Sequence, residues 1–77
     1  MAESLVYSLA VPKEDIYYIS WTIDAYEGLG FLRTDDSALG LVSLLFSSDY
    51  AEDAESLLRA FEAEGISIKR MGISADS

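Results

Sequence analysis

The chain has 77 residues and a formal net charge of −9, from 14 acids against 5 bases, with 51 % apolar residues and no cysteine. Such a length holds one domain, and such an apolar share excludes a disordered chain. No disulfide, thiolate metal site or thiol nucleophile is possible, and so negative a field repels nucleic acid and anionic membrane surfaces.

Ser4 to Ala10 alternates, with Leu5, Tyr7 and Leu9 on one face and Val6, Ser8 and Ala10 on the other; this predicts the first strand. Pro12 then suits a first helical turn, where its missing N–H costs nothing, and Glu14 and Asp15 suit the positive end of the helix dipole. Ile16, Ile19, Ile23 and Tyr26 recur at helical spacing, so the first helix is predicted over Lys13–Glu27, with Gly28 ending it. Leu29–Arg33 and Leu39–Phe46 read as the second and third strands of a hairpin, joined by the polar stretch from Thr34 to Ala38. Gly30 and Gly40 are expected to mark a bulge or a close approach.

Ser48 or Asp49 is expected to cap the second helix, whose first turn carries Glu52 and Asp53 and whose buried stripe is Ala54, Leu57, Leu58 and Phe61. Glu55, Glu62 and Glu64 lie off that stripe, in water, and Gly65 closes the helix. Ile66–Arg70 alternates and is predicted as strand four, with Ile66 and Ile68 facing inward. Residues 71–77 have no period and read as a loose tail, leaving an ordered core over about 4–70 within one domain spanning 1–77.

The order β-α-β-β-α-β predicts an α+β, ferredoxin-like two-layer sandwich: a four-stranded antiparallel sheet in order 4-1-3-2 with both helices on one face. The other face is then bare. If Val42, Leu44 and Phe46 pack under the helices, Leu41, Ser43 and Leu45 look outward, joined by Phe31 and Arg33 from strand two. An uncovered apolar face implies a partner, and the simplest is a second copy related by a two-fold axis.

The chain contains no His, Cys, Asn or Gln. It therefore has no imidazole base, no soft metal ligand and no side-chain amide for an oxyanion hole, and the expected function is non-enzymatic, with no cofactor and no metal. Arg33, Thr34 and Asp35, with Asp36, form the candidate ligand site; the plain alternative is a charged hairpin turn, since two adjacent acids are too few oxygens for a hard cation. Tyr17, Tyr18 and Trp21 edge the first helix as a candidate contact patch, or as rings that flank the core with wet tips. Lys13, Lys69 and Arg70 are either a small basic spot or the charges that protect an edge strand. The longest apolar runs fall far short of the ~18–20 residues that span a bilayer. The acidic start at Glu3 does not read as a secretory signal, and a cytoplasmic protein is expected.

Three strings, Val11-Pro12-Lys13-Glu14-Asp15-Ile16, Tyr26-Glu27-Gly28-Leu29-Gly30 and Arg33-Thr34-Asp35-Asp36 with Gly40, resemble a small bacterial family known only as a domain of unknown function. The resemblance covers about Leu5 to Ile68. It implies a stand-alone bacterial domain and brings no site residues with it. The topology is also similar to that of ACT domains, which bind amino acids at dimer interfaces, an analogy of fold alone. Two functions follow as expectations. One is a homodimeric, ACT-like module for a small ligand or regulatory partner. The other is an adaptor that binds a protein through Phe31, Leu41 and Leu45 or through Tyr17 and Trp21. Catalysis by Asp35 and Asp36, alone or with a metal, is the remote alternative.

Overall fold

The computed structural model describes residues 3–26 and 28–76. Its elements are β1 (Ser4–Ala10), α1 (Ile16–Asp24), β2 (Gly30–Asp36), β3 (Leu41–Ser47), α2 (Ala51–Ala63) and β4 (Lys69–Asp76), and a 3-10 turn leads into each helix at Lys13–Asp15 and Ser48–Tyr50. β1 pairs antiparallel with β3 on one side and β4 on the other, and β2 completes the sheet in the order β2-β3-β1-β4. This is the expected order read from the opposite edge, and the layout is ferredoxin-like.

The core forms where the inward residues of the central strands meet the helix stripes. Tyr7, Leu9, Val42, Leu44 and Phe46 from the sheet pack with Ile19 and Ile23 of α1 and with Ala54, Leu57, Leu58 and Phe61 of α2, all buried. Tyr7 meets Phe46 edge to face, with ring centroids 4.8 Å apart, a geometry that aromatic quadrupoles favour. α2 ends in a Schellman turn. The Ile66 amide donates to the Phe61 carbonyl at 3.0 Å and Gly65, with φ of +96°, donates to Glu62 at 3.0 Å. No helix among the described residues is long and apolar enough to cross a membrane.

Several boundaries differ from those read in the sequence. α1 stops at Asp24, because the Ala25 amide is shared between the Trp21 and Thr22 carbonyls and Tyr26 then donates to Ile23. The chain turns there to bury Leu29, which is a loop residue rather than the first of β2; Tyr26 leaves the stripe and is half exposed, and Glu27 lies outside the described residues. The hairpin turn is Ser37–Gly40, so Thr34, Asp35 and Asp36 belong to β2. The Asp36 carboxylate accepts from the Leu39 amide at 3.1 Å, leaving Leu39 exposed on the turn instead of opening β3. Gly40 takes φ of +71° and its carbonyl accepts from the Val11 amide, and a Cβ there would run into the Val11 carbonyl oxygen.

The 3-10 turn that leads into α2 is capped by the Ser47 hydroxyl, which accepts from the Asp49 amide at 3.3 Å, and α2 itself, with Tyr50 at its N-cap position, has no side-chain cap. Ser48 is occupied instead with the Glu3 backbone. The largest correction is β4. Ile66 and Ile68 do face the core, but from the loop after α2, and the strand runs over Lys69–Asp76, through residues expected to be loose. Its register runs from Ala10↔Lys69 to Ser4↔Asp76, and an edge strand held by one ladder needs little apolar alternation of its own.

Ending the chain at Arg70 removes most of this ladder. Because the net stability of a small domain is only about 5–15 kcal/mol, this truncation is expected to abolish the cooperative urea transition seen by far-ultraviolet circular dichroism. An unchanged midpoint would show that β4 contributes nothing.

Candidate functional site

Strand register decides which residues share the bare face. Phe31, Leu45, Val6 and Ser74 form one row across the sheet from the β2 edge to the β4 edge. Arg33, Ser43, Ser8 and Gly72 form the next, and Asp36, Leu41, Ala10 and Lys69 the third. No helix covers these rows, since both helices lie over the opposite face. Phe31 is 54 % exposed, while Val6, Leu41 and Leu45 are half buried by their neighbours. Phe31, Arg33, Leu41, Ser43 and Leu45 thus stand on the open face as their alternation predicts.

Two bulges, invisible in the alternation, adjust this face. In β2 the pairing shifts between Thr34 and Asp36, so Asp35 is an extra residue. Thr34 pairs with Val42 on the helix side, whereas Asp36 returns to the open face opposite Leu41. Asp35 turns the same way: its carboxylate accepts from Arg33 Nε at 2.9 Å and from the Ser43 hydroxyl, and Ser43 Oγ in turn accepts from Arg33 Nη2 at 3.3 Å. Ser43 is only 3 % exposed, so this closed triangle satisfies a buried hydroxyl in the middle of the sheet. The Ser43 hydroxyl first, and the Arg33 guanidinium second, hold Asp35 below the usual carboxylate range.

In β4 the register shifts between Ser8 and Leu9, leaving Met71 unpaired. Lys69 consequently shares the open face with Ala10, while Arg70 pairs with Leu9 on the helix side. Arg70 grips Glu55 of α2 with both terminal nitrogens at 2.7 Å, and the Tyr7 hydroxyl donates to the same carboxylate at 2.8 Å. The guanidinium carbon also lies 5.8 Å from the Tyr7 ring centroid, within cation–π range. Arg70 holds Glu55 below the usual carboxylate range; burial, and then the Glu55 carboxylate, raise the Tyr7 phenol. Sequence reasoning missed this cluster and set Glu55 in water. The available signal was Tyr7, an inward-facing tyrosine whose hydroxyl needs a partner.

The candidate residues separate into distinct places. Arg33 and Asp35 come together on the open face, but Thr34 lines a groove of about 360 Å³ on the other side of the sheet, with Lys13, Ile16, Tyr17, Ser20 and Ser37. Tyr17 and Trp21 are 90 % and 77 % exposed on α1, in the helix layer, and do not join Phe31, Leu41 and Leu45. Tyr18 is committed to structure: its hydroxyl donates to Glu64 at 2.6 Å and its ring meets Phe61. Lys13, Lys69 and Arg70 form no common spot, because Arg70 is bound to Glu55 on the helix side and Lys69, the preceding strand residue, takes the opposite face. One oxygen of the Asp36 carboxylate accepts from the Leu39 amide, and among the described residues no three acidic side chains converge as a metal site requires.

Glu55→Gln removes the charge from the Tyr7–Arg70 cluster and is expected to lower stability by about 1–2 kcal/mol at neutral pH, since the group is partly exposed and charge-assisted. Because Glu55 is lowered in the folded state, its contribution is full above the ordinary value near 4.5 and fades as pH falls below it. Urea titrations of both proteins from pH 7 downward should therefore converge; a gap that persists unchanged in acid would show that the charge is not what stabilises.

No curated protein and no solved structure matches the chain. Residues 9–64 do match a family, from the second half of β1 to the C-terminal cap of α2. That span is shorter at both ends than the resemblance read in the sequence, contains all three strings that suggested it, and stops before β4. By this match the chain belongs to the family described as Domain of unknown function (DUF4911).

Proposed function

We propose that the chain is a non-enzymatic binding module that works as a homodimer, each copy covering the other's open sheet face. The observation that supports this reading most is that face itself: Phe31, Leu41, Leu45 and Val6 stand around a buried Ser43 with no helix over them. The titratable clusters near the sheet are closed on themselves, Arg33 with Asp35 and Arg70 with Glu55, so their charges serve packing rather than chemistry. The lack of His, Cys, Asn and Gln supports the same conclusion. The absence of cysteine also suits a cytoplasmic setting.

A small ligand of the kind ACT domains take fits the groove beside Lys13 and Thr34. There an ammonium and the hydroxyls of Ser20, Thr34 and Ser37 stand beside the Tyr17 ring and Ile16. A thermal-shift series with amino acids and nucleotides tests this part. A shift that Lys13→Ala abolishes supports it, and no shift with any of them removes it. A second reading, an adaptor for another protein, is favoured by Tyr17 and Trp21, whose exposure is high for rings on a helix.

Light scattering after gel filtration decides on the dimer. The chain mass is 8.4 kDa, and a particle of twice that is expected, with Leu45→Asp returning it to one. Trp21 is the only tryptophan and lies in the helix layer, so its emission should stay constant as the dimer dissociates on dilution. A shift in emission would move the interface to α1, and a wild-type monomer would overturn the dimer.

A further inference from the structure

We infer that the two-fold axis of this dimer runs parallel to the strands, between β3 and β1, and that Asp36 of each copy pairs with the partner's Lys69. The inference rests on the homodimer reading above.

The three rows of the open face that span all four strands are graded from one edge to the other. At the β2 edge stand Phe31, Arg33 and Asp36; at the β4 edge, in the same rows, stand Ser74, Gly72 and Lys69. Size therefore falls across the first two rows, and charge changes sign across the third. A two-fold axis along the strands lays each row on its own reverse. Phe31 then lies over the partner's Ser74, Arg33 over the partner's Gly72, and Asp36 over the partner's Lys69. In the middle Leu45 meets the partner's Val6, and Ser43 meets the partner's Ser8. At the sheet edges the large Phe31 and Arg33 face small residues, and the two charges of the third row face their opposites.

The other in-plane axis, perpendicular to the strands, gives the reverse result. It stacks β2 on the partner's β2 and places Arg33 against the partner's Arg33. It also brings Phe31 over the partner's Asp36, where an apolar ring would desolvate a carboxylate. Like charges opposed across an interface are costly, so self-complementarity selects the first axis. Stacked sheets sit about 10 Å apart and turn by about 30° from the twist of each. That leaves the central row in register and displaces the corner pairs by a distance the flexible Lys69 side chain spans.

Both charges are available for this contact. Lys69 is exposed and forms no ion pair among the described residues. Asp36 uses one oxygen, Oδ1, on the Leu39 amide. Gly72 matters equally, because a Cβ there meets nothing within 4 Å in the single copy. Its emptiness is not required by the fold of one chain, and an arginine above it gives that emptiness a use.

The test is paired substitution in the full chain, read as the dimer dissociation constant by light scattering or sedimentation. Lys69→Glu is expected to weaken the dimer about ten-fold or more, and adding Asp36→Lys to the same chain to restore it to within about three-fold. Since Asp36 also holds the turn, an independent pair avoids it. Gly72→Tyr should break the dimer while leaving the urea midpoint of the monomer in place, and adding Arg33→Ala should recover it. Overturning the axis while leaving the dimer standing would take a wild-type dimer in which neither Lys69→Glu nor Gly72→Tyr changes the constant, or in which the second change never restores it. A wild-type monomer would overturn both.

Discussion

Two helices cover only one face of a four-stranded sheet, and every other feature of this chain follows from that limit. The strands must divide their residues between a covered and an uncovered side with a period of two. β3 shows the division most sharply: Val42, Leu44 and Phe46 are buried under the helices, while Leu41 and Leu45 remain apolar on the side that has no cover. An ordinary surface would carry polar residues at those two positions. The bare face is therefore built like half of an interior, with a buried hydroxyl at its centre and the Arg33–Asp35 pair closing over it.

The helix stripes and the alternation of β1 and β3 were legible because each rests on a local period. Ile19 and Ile23, and Ala54, Leu57, Leu58 and Phe61, occupy the core where that period puts them. The placement of Phe31 and Arg33 was legible for the same reason. What escaped was whatever depends on register between distant strands. Thr34, Asp35 and Asp36 look alike as a polar run, yet a bulge sends one to the helix side and two to the open face. Lys69 and Arg70, as neighbours in a strand, take opposite faces by the period of two alone; what the bulge at Met71 fixes is the register to β1 that gives Lys69 the open face and Arg70 the helix side. A bulge leaves no mark in the alternation of its own strand, because the extra residue is counted only against the partner.

β4 shows a second kind of limit. Ile66 and Ile68 carry the strongest alternation near the C-terminus, but they seal the end of the core as the chain leaves α2. The strand itself contains Gly72, Ser74 and Ala75, small residues with weak sheet preference. It is held by the ladder to β1 and by the bidentate Arg70–Glu55 pair, which ties the edge strand to α2 across the ring of Tyr7. Stability at this edge comes from tertiary partners separated by 15 and 48 residues, and no local pattern reports them.

A strongly negative charge opposes self-association, since two copies double it. The position of the acids removes most of that objection. Glu14 and Asp15 precede α1, Asp24 ends it, and Glu52, Asp53, Glu55, Glu62 and Glu64 lie on or cap α2, all in the helix layer. In the three rows and the bulge of the open face, Asp35 and Asp36 are balanced by Arg33 and Lys69. With the sheets face to face, the helix layers point away from each other, separated by both sheets and more than one Debye length of about 8 Å at physiological salt. The repulsion is then screened. Within those three rows the charges balance, and what remains are the short-range terms that depend on row, register and side-chain size.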